Sequence, residues 1–220
     1  MLAWGDNTHG QLGTGTTGGN RGPAPVPGLA GVTQVSANGS AALAIAGTSG
    51  AVWAWGDGLA GDGTTTAHYS PAPSGLTGVS WVAAGDEYVS AAVLTNGSVM
   101  TWGLNQEGEL GIGTQDSSVH ASPVLIRTLA GASQVSAGTY DVMVIASPAP
   151  RVPSVIGFSQ SEAAAALSAA GYVLGRVAVV VDLTCEYLGE VKTQTPAAGT
   201  LDPPGTSVNI AIGKAGGKCL

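Results

Sequence analysis

The six residues Gly13-Thr14-Gly15-Thr16-Thr17-Gly18 match G-x-G-x-x-G, the spacing that lets a backbone turn approach a pyrophosphate. That chemistry needs a strand before the turn, a helix behind it and a later acid for the ribose. Here the turn runs instead into GNRGPAPVPG, whose prolines exclude a helix. Gly111-Ile112-Gly113-Thr114 repeats the start of the pattern without its third glycine, so the glycines belong to a repeat and no nucleotide cofactor is expected. The acids Asp57, Asp62, Asp86, Glu87, Glu107 and Glu109 lack the ligand order of a twelve-residue calcium loop. His9, His68 and His120 fall 5, 13 and 18 residues after their preceding tryptophans, offsets that point to neither a metal cluster nor a catalytic triad. Cys185 and Cys219 have no CxxC or Cys/His spacing, which leaves one disulfide or two idle thiols. No paired nucleophile and base emerges, so the chain is expected to be no enzyme and to use no metal or cofactor.

These residues are set in a chain of 220 that is 44% hydrophobic, only 10% charged and carries 35 glycines, a composition suited to a globular, turn-rich β protein. The formal charge of -7 is uneven. Residues 1–150 hold nine acids against Arg21 and Arg127, whereas residues 151–220 balance five against five. Phosphate neutralisation needs a basic stripe, so no nucleic acid is expected as partner. No apolar run approaches the roughly 20 residues that span a bilayer, and the opening MLAWGDN lacks the basic and apolar regions of a secretion signal. No membrane insertion or targeting is expected.

The elements that position the glycine loops repeat. WGDNTHGQLGTGT from Trp4 returns as WGLNQEGELGIGT from Trp102, and a shorter relative, WGDGLAGDGT, begins at Trp55. Each loop leads through a proline segment into an apolar run; TQVSANGSAALAIA, SWVAAGDEYVSAAVL and SQVSAGTYDVMVIA superpose on Val35, Val82 and Val135. Short β-branched runs bounded by glycine turns read as strands. Asn96-Gly97 predicts a type I′ hairpin, with Ser49-Gly50 in the same place one repeat earlier. About 50 residues and several strands per unit indicate a β-propeller blade. The glycines supply turn angles, Asp6, Asn7, Asp57 and Asn105 bond their own backbone, and Trp4, Trp55 and Trp102 are expected to fill the space between neighbouring blades.

GAVWAWGD, WGDNTHGQLGTGT and VAAGDEYVSAAVL resemble the repeat of the regulator of chromosome condensation family, over about residues 1–147. The resemblance implies a ring, usually of seven blades, and a protein-binding surface; bacterial members include a secreted inhibitor of β-lactamase. The middle loop lacks three residues, and a histidine common in the strand motif is replaced by Ala41, Tyr88 and Asp141. Only about three blades are present: residues 1–31 form a front part and 133–150 a back part of one further repeat beside two complete ones. Either the chain is a piece of a longer ring, or front strands of one copy pair with back strands of another.

SPAPRVP is a proline-rich joint, and the chain is divided into propeller blades at 1–147, a linker at 148–152, a second module at 153–214 and a tail at 215–220. Ser159-Gln160-Ser161-Glu162 is a capping box; Ala163, Ala166, Leu167 and Ala170 share one helical face before Gly171 stops the helix. Strand-like runs follow at 172–181, 190–195 and 207–212, giving one helix on a three-stranded sheet. VPSVIGFSQSEAAAALSAAGYVLG and GEVKTQTPAAGTLDPPGTSVNIAIGK resemble a PASTA domain over nearly its whole length. The resemblance implies a non-catalytic module of bacterial surface kinases and penicillin-binding proteins, several of which bind peptidoglycan while others act as spacers. Arg176, Glu186, Lys192 and Gln194 are the candidates for wall contact, and Cys185 and Cys219, placed after the first and third strands, for a disulfide.

The fold class expected is mainly β, a partial propeller of about three blades followed by a small α+β PASTA domain. The function expected is binding or structural: a propeller that holds another protein or further copies of itself, and a module that meets cell-wall peptidoglycan outside the cell. A phage virion or decoration protein and a secreted protein inhibitor are the alternatives.

Overall fold

Runs such as AALAIA and VSAAVL are apolar at almost every position, the pattern of strands covered on both faces. A computed structural model of the chain describes residues 1–18, 21–86 and 89–217 and places these runs in the middle of stacked sheets. Glu87, Tyr88 and Cys219, named above, lie outside the described residues. The chain divides into two compact units, Met1–Ile126 with Gly131–Ser147, and Arg127–Ala130 with Pro148–Leu220.

In the first unit β1 (Leu2–Gly5) pairs with β2 (Arg21–Pro25) alone. Two full antiparallel sheets follow in chain order: β3 (Val32–Asn38), β4 (Ala41–Ala46), β5 (Ala51–Gly56) and β6 (His68–Pro73); then β7 (Val79–Ala84), β8 (Val89–Leu94), β9 (Val99–Asn105) and β10 (Asp116–Leu125). The last pair is β11 (Leu129–Ala137) with β12 (Val142–Pro148). Trp4-Gly5 correspond to Trp55-Gly56 and Trp102-Gly103, so β1 and β2 are the second half of a blade; Gln134-Val135-Ser136-Ala137 repeats Gln34-Val35-Ser36-Ala37, so β11 and β12 are a first half. Two blades flanked by complementary halves match the count read from the sequence.

Small side chains let the sheets approach. Leu43, Ile45, Val52 and Ala54 of one sheet pack on Val79, Val82 and Trp102 of the next, and each large side chain buried there contributes roughly 1.5–3 kcal/mol. Side chains also cross between blades: the Gln34 amide donates to Val82 O (3.0 Å) and accepts from Val82 N (2.7 Å), while Ser36 Oγ accepts from Ala84 N (3.0 Å). Trp81, in the place of Gln34, donates to Val135 O at 2.9 Å.

The hairpin at Asn96-Gly97 differs from the type I′ turn expected. Gly97 has φ +80° but Asn96 does not enter the positive-φ region, and Gly97 N donates to Leu94 O while Leu94 N donates to Ser98 O. This is a three-residue loop in which a type I turn ends in a left-handed glycine. Asn96 Oδ1 accepts from Ser98 N (3.0 Å), which fixes the asparagine in its negative-φ role.

In the second unit α1 (Gln160–Ala169) begins at the expected capping box: Glu162 N donates to the Ser159 hydroxyl and Ser159 N to the Glu162 carboxylate. Ala163 and Leu167 turn into a core with Val155, Tyr172, Val191, Val208 and Ile210. The sheet order is β13 (Val173–Asp182), β15 (Ser207–Ala215), β14 (Val191–Thr195), with β13 parallel and β14 antiparallel to β15. Residues of the expected linker pack into this unit: Val152 is buried, Arg151 bridges to Leu201, and Pro150 O accepts from the Tyr172 hydroxyl at 2.8 Å. Cys185 is disulfide-bonded.

Candidate functional site

The glycine loops are filled by the protein itself. Asn7 is fully buried, its Nδ2 donating to Thr16 O (2.8 Å) and its Oδ1 accepting from Leu12 N (3.0 Å); Asn105 repeats both bonds with Thr114 O and Leu110 N. Gly15 N donates to Tyr69 O at 2.7 Å and Gly18 N to Asn7 O at 2.6 Å, amides that a phosphate would have needed. The face of each of the first two loops receives the tryptophan of the next blade. Trp55 Nε1 donates to Gln11 O (2.8 Å) with its ring on Gly13, and Trp102 Nε1 donates to Leu59 O (2.9 Å) with its ring on Gly61. A Cβ on Gly13 would lie 2.9 Å from the Trp55 indole nitrogen and one on Gly61 3.1 Å from the Trp102 ring, so only glycine allows the rings to seat. Trp55 and Trp102 thus lie between blades, whereas Trp4, at the front of the stack, is 63% exposed, with no described loop before it.

The titratable residues of this unit are absorbed in turns. Asp62 bonds Thr64 and His68 (2.9 Å); burial pushes its carboxyl up, but the Thr64 amide and hydroxyl and His68 together hold it below its ordinary value. Asn105, then the Ser118 amide and His120, hold Asp116 at about 2. His9 lies 3.3 Å from Asp57. Glu109 accepts from Glu107 N. Among the described residues no three His, Cys, Asp or Glu side chains gather closely enough to hold a metal ion.

The second unit presents a polar sheet face away from its helix. Alternation along SVNIA turns Val208 and Ile210 into the core and leaves Asn209 on the other side, while a register shift between Val191 and Thr193 interrupts the alternation of β14, so that Val191 is buried and Thr193 and Thr195 are exposed. With Arg176, Ala178 and Ala211 they line an open concavity of about 400 Å³. Asn209 Oδ1 accepts from Arg176 N (2.7 Å), which leaves its amide NH2 as the donor available to a ligand. A second hollow of about 730 Å³ adjoins through Thr195 and Asn209 and reaches Arg127, whose guanidinium pairs with buried Asp202 at 2.8 Å.

The four residues named for wall contact are placed differently from one another. Arg176 is exposed on this face and Glu186 is exposed in the turn after β13. Lys192 Nζ lies 2.7 Å from Asp182 Oδ1, and together with the Thr184 hydroxyl and Tyr187 N–H it holds that carboxyl far below the usual range. Gln194 turns to the core side: it accepts from Val155 N (2.8 Å) and donates to Pro153 O (3.0 Å). Thr193, Thr195 and Asn209 were not singled out from the sequence: alternation shows Asn209 between Val208 and Ile210, but counted from Val191 it turns Thr193 and Thr195 inward and Lys192 and Gln194 outward, and the register shift that reverses this carries no signal in the sequence.

Comparisons agree with this architecture. The model of the regulator of chromosome condensation (RCC1) repeat matches residues 1–45 and 96–145, and that of the PASTA domain residues 150–214. Among solved structures, human WBSCR16 is 25% identical, with TM-score 0.55 over 66% of this chain and 39% of that one. Prp20p of Saccharomyces cerevisiae, which binds Gsp1p and histones, is 18% identical with TM-score 0.57, over 76% of this chain and 42% of that one. Yeast RCC1 (Prp20), in a structure with Kap60 bound to it, is 20% identical with TM-score 0.55, over 66% and 35%. The chain therefore spans 35–42% of the length of these structures. No curated protein matches it. The chain carries RCC1 repeats over residues 1–145, folded as part of a propeller, followed by a PASTA domain over residues 150–214.

Proposed function

We propose that the chain is a non-enzymatic binding protein of the bacterial cell exterior, whose PASTA domain docks on peptidoglycan and whose propeller blades hold protein. The observation that carries this reading is the open face of Arg176, Thr193, Thr195 and Asn209, a guanidinium, hydroxyls and an amide over a floor of alanines, in a module of peptidoglycan-binding type. Glycan hydroxyls and acetamido groups take hydrogen bonds from such a face, and stem-peptide carboxylates take the guanidinium. The propeller side is supported by solved structures of the same fold that have protein partners. No helix of the described residues is long and apolar enough to cross a membrane.

Sedimentation with purified wall sacculi tests the reading. The full chain co-sediments, and Arg176→Glu with Thr193→Asp, which add negative charge to the face without touching the core, leave it in the supernatant. A full chain that stays in solution overturns wall binding; a double variant that still sediments moves the contact elsewhere on the domain.

A further inference from the structure

A buried carboxylate of the second unit takes its cation from outside the PASTA module. Asp202 is buried, and Arg127 Nη1 donates to its Oδ1 at 2.8 Å. Arg127 belongs to the second unit, yet it lies in the turn between β10 and β11, outside the residues 150–214 that match the PASTA domain. The backbone around the pair is tied down. Ala149 N donates to Thr128 O (2.8 Å), Asp202 N donates to Pro150 O (3.2 Å), and the Tyr172 hydroxyl is within bonding distance of Pro150 O (2.8 Å) and Asp202 O (3.0 Å). A buried ion pair gives little net stability over apolar packing of the same volume, so this one is better explained by what it holds in place. It holds a guanidinium. The Arg127 side chain is 61% exposed, and its Nε and Nη2, two parallel donors along one edge, bond no described residue.

Arg127 lines the hollow of about 730 Å³ together with Thr195, Thr206, Ser207 and Asn209. Thr195 and Asn209 also line the concavity of about 400 Å³ in which Arg176 stands. The two hollows therefore form one groove, with Arg176 lining one end and Arg127 the other. Gly175 shapes its middle. A Cβ there would stand 2.5 Å from Asn209 Oδ1, so a bare backbone is what lets that oxygen accept from Arg176 N and leaves the Asn209 NH2 free to donate. Asp202 is the one acid lining either hollow, and it is buried and paired. The groove thus carries two cations, one of them offset by Asp202, and no free anion; hydroxyls, an amide and alanine methyls lie between them.

We infer that Arg127 makes the second hollow a carboxylate subsite of the wall-binding groove, and that the ligand is a peptide with carboxylates at two separated points. The free Nε–Nη2 edge offers two parallel bonds to the two oxygens of a carboxylate. The uncharged stretch between the guanidiniums suits peptide amides, which the Asn209 NH2 and the threonine hydroxyls bond, and does not suit a polymer with a phosphate on every unit. Asp202 is a positioning residue: by holding Nη1 it presents the other edge already ordered, which lowers the cost of binding. The inference rests on the wall-binding reading and adds to it a residue from outside the module and a preference for peptide over glycan.

Calorimetry on the full chain tests it, with stem peptides released from sacculi by an amidase and, separately, with soluble glycan fragments freed of peptide. The peptides are expected to bind, the glycan fragments not, and methyl esterification of the peptide carboxylates is expected to abolish binding. Arg127→Lys keeps the charge and the pair with Asp202 but loses the planar edge, and is expected to weaken the peptide on the order of 10-fold, about one charge-assisted hydrogen bond. Arg127→Gln with Asp202→Asn leaves no unpaired buried charge, and is expected to weaken the peptide at least as much with an unaltered circular dichroism spectrum. A merely structural pair would leave peptide affinity as it is in Arg127→Lys. Glycan bound as tightly as peptide, or peptide affinity unchanged in either variant, overturns the inference and leaves wall binding standing where the chain still sediments with sacculi. A chain that neither sediments nor binds peptide overturns both.

Discussion

Replacing Trp102 by alanine separates the role of the tryptophans as blade spacers from any role in ligand binding. Trp102 is fully buried, its ring on Gly61 and its Nε1 2.9 Å from Leu59 O. Truncating an aromatic in such a place costs about 3–5 kcal/mol, and the carbonyl left without its donor adds roughly 1 kcal/mol. For a chain of this size each kcal/mol lowers the melting temperature by about 2–4 °C, so Trp102→Ala is expected to melt on the order of 10–20 °C lower. Trp4 occupies the same repeat position but is 63% exposed, and Trp4→Ala in a solitary chain costs no more than about 0.5 kcal/mol. The assay is thermal unfolding followed by circular dichroism at one fixed chain concentration. Equal shifts for the two variants, or a shift of only a few degrees for Trp102→Ala, would refute the account of the loops as seats for the next blade's tryptophan.

Further outcomes concern both units. Asp182 has its carboxyl depressed by Lys192, Thr184 and Tyr187, so its contribution is present above the unfolded carboxylate value near 4 and is lost as pH falls through the lower folded value; acid unfolding of Asp182→Asn should be less steep below about pH 4 than that of the parent. Ser159→Ala removes the cap of α1 and should cost about 1 kcal/mol in chemical denaturation, with Ser159→Thr largely restoring it. Asn105→Ala leaves Thr114 O and Leu110 N without their buried partner and should cost about 2 kcal/mol, whereas Asn96→Ala, at an exposed turn, should cost under about 1 kcal/mol. Alkylation of the unreduced, unfolded chain should leave its mass unchanged, because Cys185 is already bonded; uptake of label would contradict the disulfide.

Much of the architecture was legible because it is written in repetition. Tryptophans about 50 residues apart, glycines at fixed distances behind them and the recurring QVSA gave the blades, their order and the split of one blade into two halves. The capping box at Ser159 and the stop at Gly171 gave the helix of the second unit. What the sequence withheld are facts of neighbourhood. Nothing local distinguishes Trp4 from Trp102; only the presence of a preceding loop buries one and exposes the other. Lys192 and Gln194 read as exposed polar residues of a strand, but a buried aspartate ten residues earlier in the chain and the backbone at Pro153 and Val155 claim them. The turn at Asn96-Gly97 was misread because an asparagine before a glycine suits two hairpin loops, and the choice was made by Asn96 accepting from Ser98 N rather than by intrinsic preference.

The middle blade shows which loop residues the architecture depends on. Residues 46–95 escape the RCC1 repeat model, and their loop has neither the asparagine of Asn7 and Asn105 nor the length of its neighbours. Its sheet is nonetheless complete, and Trp102 is as well seated on it as Trp55 is on the intact loop before it. The residues common to both seats are a glycine under the ring and a carbonyl two positions earlier, at Gly13 and Gln11, and at Gly61 and Leu59. The motif can thus erode while the seat persists. In the third loop the asparagine, the glycine and the carbonyl position are all kept, at Asn105, Gly111 and Glu109, although no tryptophan of the described chain lies upon them. Gly111 has φ +64°, a left-handed backbone that by itself favours glycine, and a Cβ there would stand 3.3 Å from Ile126, so the turn holds this glycine whether or not a tryptophan lies upon it, as the turns at Gly13 and Gly61 also do.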